Sequence, residues 1–373
     1  MIPVNSPLLA GNEAAYLNEC LQSGWISSAG KYLERFEVEL ADYLGVKHAV
    51  AVSSGSAALE VALGCLGLNQ GDEIIMPTFT IICCATAIIY NGGTPVLVDA
   101  EADTWCMNTA EVAKRITPRT RGIMAVHIYG HPVDMDPLYE LAGQHDLTII
   151  EDAAEGLGAR YKGRPCGSLG DLSCLSFYAN KVITTGEGGA VLTNNDALAD
   201  KARSLRNLCF EPDRRFYHRS LGHNFRMTNM QAALGVAQLE RIEAHIDKKL
   251  HIAEQYNEQL ADLTEWLSLP VERPWAKNIY WMYGLVLKES LAVTAEEFSR
   301  ELEKLGVQSR SFFLGMHEQP AMHQRGLFVG ECYPVAERLA RRGLYLPSGL
   351  AITDEQIAQV CKAVKNVLQE VTY

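Results

Sequence analysis

No CxxC pair occurs among the ten cysteines of this 373-residue chain, so neither a zinc site nor a disulfide framework is indicated. Cys20, Cys65, Cys83, Cys84, Cys106, Cys166, Cys174, Cys209, Cys332 and Cys361 read as reduced thiols filling small core positions. A Gly-Lys-Ser/Thr phosphate loop is missing too, and Gly186-Glu187-Gly188-Gly189 does not fit the GxGxxG fingerprint. Basic charge is in short supply: 33 Lys and Arg stand against 45 Asp and Glu, a net charge of −12. A nucleic-acid binder needs a basic face, so that class is excluded, whereas a local pocket can still take an anionic small molecule. The longest apolar run, Ile81 to Tyr90, falls short of the roughly 20 residues that cross a bilayer. Met1-Ile2-Pro3-Val4-Asn5 shows no charged segment followed by an apolar stretch, and a cytoplasmic protein is expected. Repeat periods and low-complexity tracts are also absent.

What the chain does contain is alternation. Short β-branched runs at His48–Ser53, Glu73–Met76, Pro95–Asp99, Gly122–Ile128, Leu147–Asp152, Ser173–Phe177 and Gly189–Thr193 are separated by helical spacings such as Leu33, Phe36, Leu40 and Leu44, closed by Gly45. Several runs are apolar throughout, as in strands covered on both faces. This predicts an α/β layer domain. Thr228 through about Leu263 reads as one long helix without proline, followed by an α+β pattern: strand-like Ile279–Lys288, helix Ala295–Leu305, strand-like Val307–Phe313, and helices Val335–Arg342 and Asp354–Glu370. Two units are expected, 1–250 and 251–373.

Three local elements carry chemistry. Ser53-Ser54-Gly55-Ser56-Ala57 joins a strand to a helix start, where free N–H groups and the helix dipole suit a phosphate; alone, the same residues read as an ordinary serine N-cap. Asp152 closes a strand of Leu, Ile and Ile, at the carboxyl end where α/β folds collect ligands, and a carboxylate there calls for a cation. Its bland alternative is a cap for the next helix, with Glu155 one turn on facing either the same site or solvent. Lys181, after Ser176-Phe177-Tyr178-Ala179-Asn180, sits on a loop before Thr184-Thr185-Gly186-Glu187-Gly188-Gly189, and is otherwise a solvated charge. Together they match one cofactor, pyridoxal 5′-phosphate. That cofactor needs an amine for its aldehyde, a carboxylate for its ring nitrogen and a cradle for its phosphate.

On these elements, and on Trp25-Ile26-Ser27-Ser28, His127-Ile128-Tyr129-Gly130-His131-Pro132 and Asn224-Phe225-Arg226-Met227-Thr228-Asn229, the chain resembles end to end the DegT-type family of pyridoxal phosphate sugar aminotransferases. The resemblance implies an aspartate-aminotransferase-like (fold type I) large domain with a mixed central sheet, plus a smaller α+β C-terminal domain. It implies that Lys181 forms the Schiff base, Asp152 pairs with the ring nitrogen and Glu155 lies near the ring hydroxyl. Gly55, Ser56 and Ala57 would hold the phosphate with Ser176. Asn224 would reach the neighbouring subunit's phosphate, making a homodimer with shared sites. Trp25, Arg226 and His317 would border the sugar-nucleotide pocket.

The implied reaction moves an amino group from L-glutamate to a nucleotide-linked 4-oxo-6-deoxysugar, for aminosugars of surface polysaccharides. The nucleotide stays open among GDP, UDP and dTDP, and a non-catalytic protein retaining the pocket is the alternative class. Relatives that dehydrate sugars replace the lysine by histidine, so Lys181 disfavours dehydration. One position departs from the family pattern: Ile81 stands where an aromatic ring usually covers the cofactor, leaving either an aliphatic lid or a contribution from Phe79.

Overall fold

Seven of the aliphatic runs pair into one sheet. A computed structural model describes residues 1–211, 213–214 and 216–372; Tyr373, at the end of the expected second unit, lies outside the described residues. The strands are β1 (His48–Val52), β2 (Glu73–Pro77), β3 (Thr94–Val98), β4 (Thr120–Val126), β5 (Thr148–Asp152), β6 (Leu172–Ser176) and β7 (Gly189–Thr193), in the order β1-β7-β6-β5-β4-β2-β3. Only β7 runs against its neighbours, β1 and β6; all other pairs are parallel. The carboxyl ends of β1, β5 and β6 therefore share an edge with the start of β7, and the loops from that edge meet in one place.

The helices follow from spacing and caps. In α1 (Lys31–Leu44), Tyr32, Phe36, Leu40, Ala41 and Leu44 form the buried stripe. α2 (Gly55–Leu66) begins with Ser54, whose hydroxyl accepts from Ala57 N–H, and packs on β6 and β7. α3 (Asn229–Leu239) opens on a capping box between Thr228 and Gln231.

The expected single helix from Thr228 to Leu263 is two. α3 stops and α4 (Ile242–Leu260) begins after Arg241, whose φ −117° and ψ 11° leave the helical region. No proline marks the break. Glu240 is drawn aside by Asn12, Tyr16 and the Arg35 guanidinium, and Arg241 reaches the Ala10 carbonyl. Tertiary partners thus outweigh the helical pattern at this point.

A second sheet, antiparallel throughout, contains β8 (Leu267–Ser268), β9 (Tyr283–Leu287), β10 (Arg310–Ser311) and β11 (Gly343–Leu346), ordered β8-β9-β11-β10. Its core joins Tyr283, Leu285, Leu287 and Phe298 to α4 and to α5 (Asp354–Thr372). α4 crosses residue 250 unbroken: Ile242 and Ile246 pack in the first core, Ile252, Tyr256 and Leu260 in the second. Ile2 also packs in the second core and bridges to Val307. Of the strand-like Val307–Phe313, Arg310–Ser311 joins the sheet and Val307 makes only the isolated bridge to Ile2, while Phe312 turns inward against Trp105 and Phe79.

Candidate active site

At the shared sheet edge lies a cavity of about 380 Å³, within the usual size of small-molecule sites. Gly55 and Ser56 from the start of α2, Asp152 and Glu155 after β5, and Ser176 and Lys181 after β6 all line it. Six of the residues singled out in the sequence thus converge, although they are spread over more than a hundred positions.

Lys181 Nζ stands 4.0 Å from Glu155 Oε1 and 3.6 Å from the centroid of the Trp281 ring, with 12% of its side chain exposed. Burial lowers the lysine's pKa, and the neighbouring Glu155 and Asp152 carboxylates only partly restore it. Glu155 accepts from Tyr129 N–H at 2.8 Å, and burial pushes its carboxyl up to about 7 from 4.5. The unfolded chain releases that proton first, so ionisation of Glu155 opposes folding increasingly as pH rises from about 4.5 to 7. Glu155→Gln is therefore expected to stabilise the apoprotein by about 1–3 kcal/mol at pH 8 and hardly at pH 4, read from urea midpoints. An equal effect at both pH values would mean that the carboxyl is not held in a desolvated site.

Asp152 is 2% exposed, its Oδ1 accepting from Ala154 N–H at 3.0 Å and its Oδ2 from the Cys84 thiol at 3.1 Å. An S–H donor is weak, and among the described residues no basic side chain other than Lys181 lines the cavity. The adjacent Glu151 has a different task. Its oxygens accept from His127 Nε2, the N–H groups of Gly167, Leu169 and Gly170, and the Ser173 hydroxyl. His127 Nδ1 in turn accepts from Val133 N–H, so the buried His127, Glu151 and Cys166 group is spent on the fold rather than open to an ion.

The close packing around the start of α2 depends on two glycines. A Cβ at Gly55 would lie 2.7 Å from Ser176 Cβ, and one at Gly189 would lie 2.4 Å from the Ser54 carbonyl oxygen. This close approach sets the Ser176 hydroxyl beside the first turn of α2. Ala57 does not line the cavity: its N–H is taken by Ser54 Oγ at 3.1 Å, leaving the N–H groups of Gly55 and Ser56 for an anion. A buried amine, a carboxylate lacking a cationic partner and a helix start facing the same space fit pyridoxal 5′-phosphate by the chemistry of the donor set.

The remaining candidates sit elsewhere. Trp25 is 58% exposed at the surface. Asn224 is exposed, its Oδ1 accepting from Arg226 Nε and Nη2, and neither residue lines the cavity. His317 is buried, with Nδ1 on Thr78 Oγ1 at 2.8 Å, Nε2 on Glu337 at 3.2 Å and its ring against Tyr333. Phe313 and Tyr345 line the wall instead. Ile81, 41% exposed, lines the cavity, whereas Phe79 is fully buried among Tyr129, Phe312 and Phe313, so the aliphatic side chain is the one presented. Nothing in the sequence gives Trp281, Cys84 or Asn180 a place at the site; a lone tryptophan a hundred residues beyond Lys181 carries no local signal.

A family model described as the DegT/DnrJ/EryC1/StrS aminotransferase family matches residues 7–365. The chain belongs to that family. It is 42% identical over 367 residues to GDP-perosamine synthase of Caulobacter vibrioides, covering 98% of each chain, and 40% identical over 366 residues to that of Vibrio cholerae, covering 98% and 99%. Among solved structures, an aminotransferase from Psychrobacter cryohalolentis superposes with a TM-score of 0.93 at 30% identity over 100% of both chains. The fold is that of these aminotransferases, and enzymes of the family work with pyridoxal 5′-phosphate. Among the described residues no helix is long and apolar enough to cross a membrane.

Proposed function

We propose that the chain transfers an amino group from L-glutamate to the ketone of a GDP-linked 4-oxo-6-deoxysugar. The observation that carries the chemistry is the convergence of Lys181, Glu155, Asp152 and the start of α2 on one cavity. The choice of nucleotide leans on the relatives named GDP-perosamine synthase. Pyridoxal 5′-phosphate, when bound, supplies an aldehyde that condenses with amines and a ring that stores the electron pair left when a carbon–hydrogen bond breaks.

Each side chain then has a task set by its surroundings. Lys181 presents a desolvated amine, which is nucleophilic when neutral and takes a proton at Nζ once it is displaced. Glu155, 4.0 Å away and poised near neutrality, exchanges a proton with that Nζ. Asp152, fixed through both oxygens, holds a proton on the ring nitrogen by charge. Gly55, Ser56 and Ser176 bind the phosphate, and Trp281 keeps water off the amine. Asn224 and Arg226, which do not line their own cavity, are assigned to the site of a second copy, with Trp25 and the His317 loop near the sugar nucleotide.

A coupled assay with glutamate against GDP-, UDP- and dTDP-linked oxo-sugars tests the substrate. The GDP-linked 4-oxo-6-deoxysugar is expected to give the highest kcat/KM, and preference for another nucleotide would reassign it. For the shared site, mixing inactive Lys181→Ala with inactive Asn224→Ala chains is expected to regenerate activity, because each hybrid dimer assembles one intact site. No recovery after subunit exchange would confine the site to one chain.

A further inference from the structure

Buried on α4 is a lysine that the mechanism leaves unused. Lys249 is 1% exposed, and among the described residues no carboxylate bonds to it. Its Nζ donates to two carbonyl oxygens, Trp281 at 2.8 Å and Ser348 at 2.5 Å. Burial lowers the amine's pKa to about 7, a desolvation cost that its two carbonyl bonds have to offset.

Those contacts lead to the active amine. Trp281, 4% exposed, is fixed at its backbone by Lys249 and at its ring by the Nε1–H bond to the Asn180 carbonyl at 2.8 Å. Its ring face lies 3.6 Å from Lys181 Nζ. One turn earlier on α4, the buried His245 bonds through Nδ1 to the Val182 carbonyl at 3.1 Å, on the same loop as Lys181. A single helix face therefore grips both the loop that carries the amine and the aromatic wall against it.

We propose that Lys249 is a positioning residue that holds Trp281 over Lys181, so that the amine stays desolvated and aimed into the cavity. The proposal rests on Lys181 being the reacting amine. The π face favours the ammonium by about 0.5–2 kcal/mol, but desolvation of an ammonium amounts to several kcal/mol, so the ring's exclusion of water is the larger effect. Freeing the ring lets water reach Nζ and moves Lys181's reactivity to higher pH. The other groups acting on Lys181 are Glu155, Asp152 and Cys83, and Lys249 and Lys181 also repel each other directly, an effect that the double variant with Trp281→Ala separates from the ring's.

The test follows, across pH, the rate at which purified apoenzyme acquires a borohydride-stable pyridoxal phosphate label, with the labelled lysine mapped by peptide analysis. Lys249→Met is expected to slow labelling about tenfold at pH 7.5, with the profile displaced by about one unit, and Lys249→Arg to recover most of the rate. Trp281→Ala is expected to do the same, and the double variant to be no slower than Trp281→Ala alone, because both changes act through one ring. Effects that multiply in the double variant, or a wild-type profile for Lys249→Met, would overturn the proposal. If Lys249→Met does not fold, Trp281→Ala decides: unchanged labelling removes the wall from the mechanism. Label on a lysine other than Lys181 would sink the underlying reading instead, and the peptide map separates the two failures.

Discussion

Lys181→Ala is expected to abolish amino transfer, lowering kcat by about 10⁴-fold or more, since in the proposed reaction the same amine serves as nucleophile and proton carrier. No other side chain of the cavity can substitute, because Lys181 is the only lysine lining it among the described residues and Lys249 bonds to carbonyl oxygens behind the wall. The fold is expected to survive. Without the lysine, Glu155 loses the charge that draws its carboxyl down, so it stays protonated and neutral near pH 7. The variant would still bind pyridoxal phosphate through the start of α2 but show no borohydride-stable label. Added small primary amines are expected to restore part of the turnover by entering the vacated space. Full turnover by the variant would remove Lys181 from the chemistry.

Asp152→Asn is expected to show the next largest loss. The amide keeps the shape, and Ala154 N–H can still donate to its oxygen, yet the negative charge opposite the ring nitrogen is gone. Removing one member of a buried charged pair costs about 3–5 kcal/mol. If that loss falls on the proton-transfer step, it corresponds to about 10²–10⁴-fold in rate. Rapid mixing of the loaded variant with glutamate, followed in the visible region, measures this directly. Cofactor affinity should fall less, because the phosphate contacts proposed for Gly55, Ser56 and Ser176 lie elsewhere. An unchanged rate would leave Asp152 as a cap for the Ala154 turn and nothing more.

Some parts of this site were legible one residue at a time. Asp152 closes an aliphatic strand and Ser54 precedes a helix, and both facts are local enough for pattern and capping rules to find. Ala57 shows the limit of that reading. It occupies the right turn, but only the structure reveals that Ser54 has already taken its N–H. His317 shows another limit, since nothing around Leu314-Gly315-Met316 announces that Thr78 and Glu337 would claim both ring nitrogens. Phe79 and Ile81 lie two residues apart, yet one is sealed among aromatic rings while the other faces the cavity.

The break between α3 and α4 belongs with these cases. Glu240 and Arg241 continue a helical pattern with no glycine or proline, and residues 10 to 35, far earlier in the chain, pull them out of it. By itself the sequence determined the strand and helix pattern of the large sheet and the cofactor, and it singled out the lysine, aspartate and helix start that line one cavity. Periodicity, caps and charge act over a few residues and can be read there. Only the tertiary structure decided that Trp281 walls the amine, that Lys249 holds that wall, and that Cys84 meets Asp152. Such partners are chosen by packing between segments distant in the chain, where burial energy, rather than local spacing, selects the neighbour.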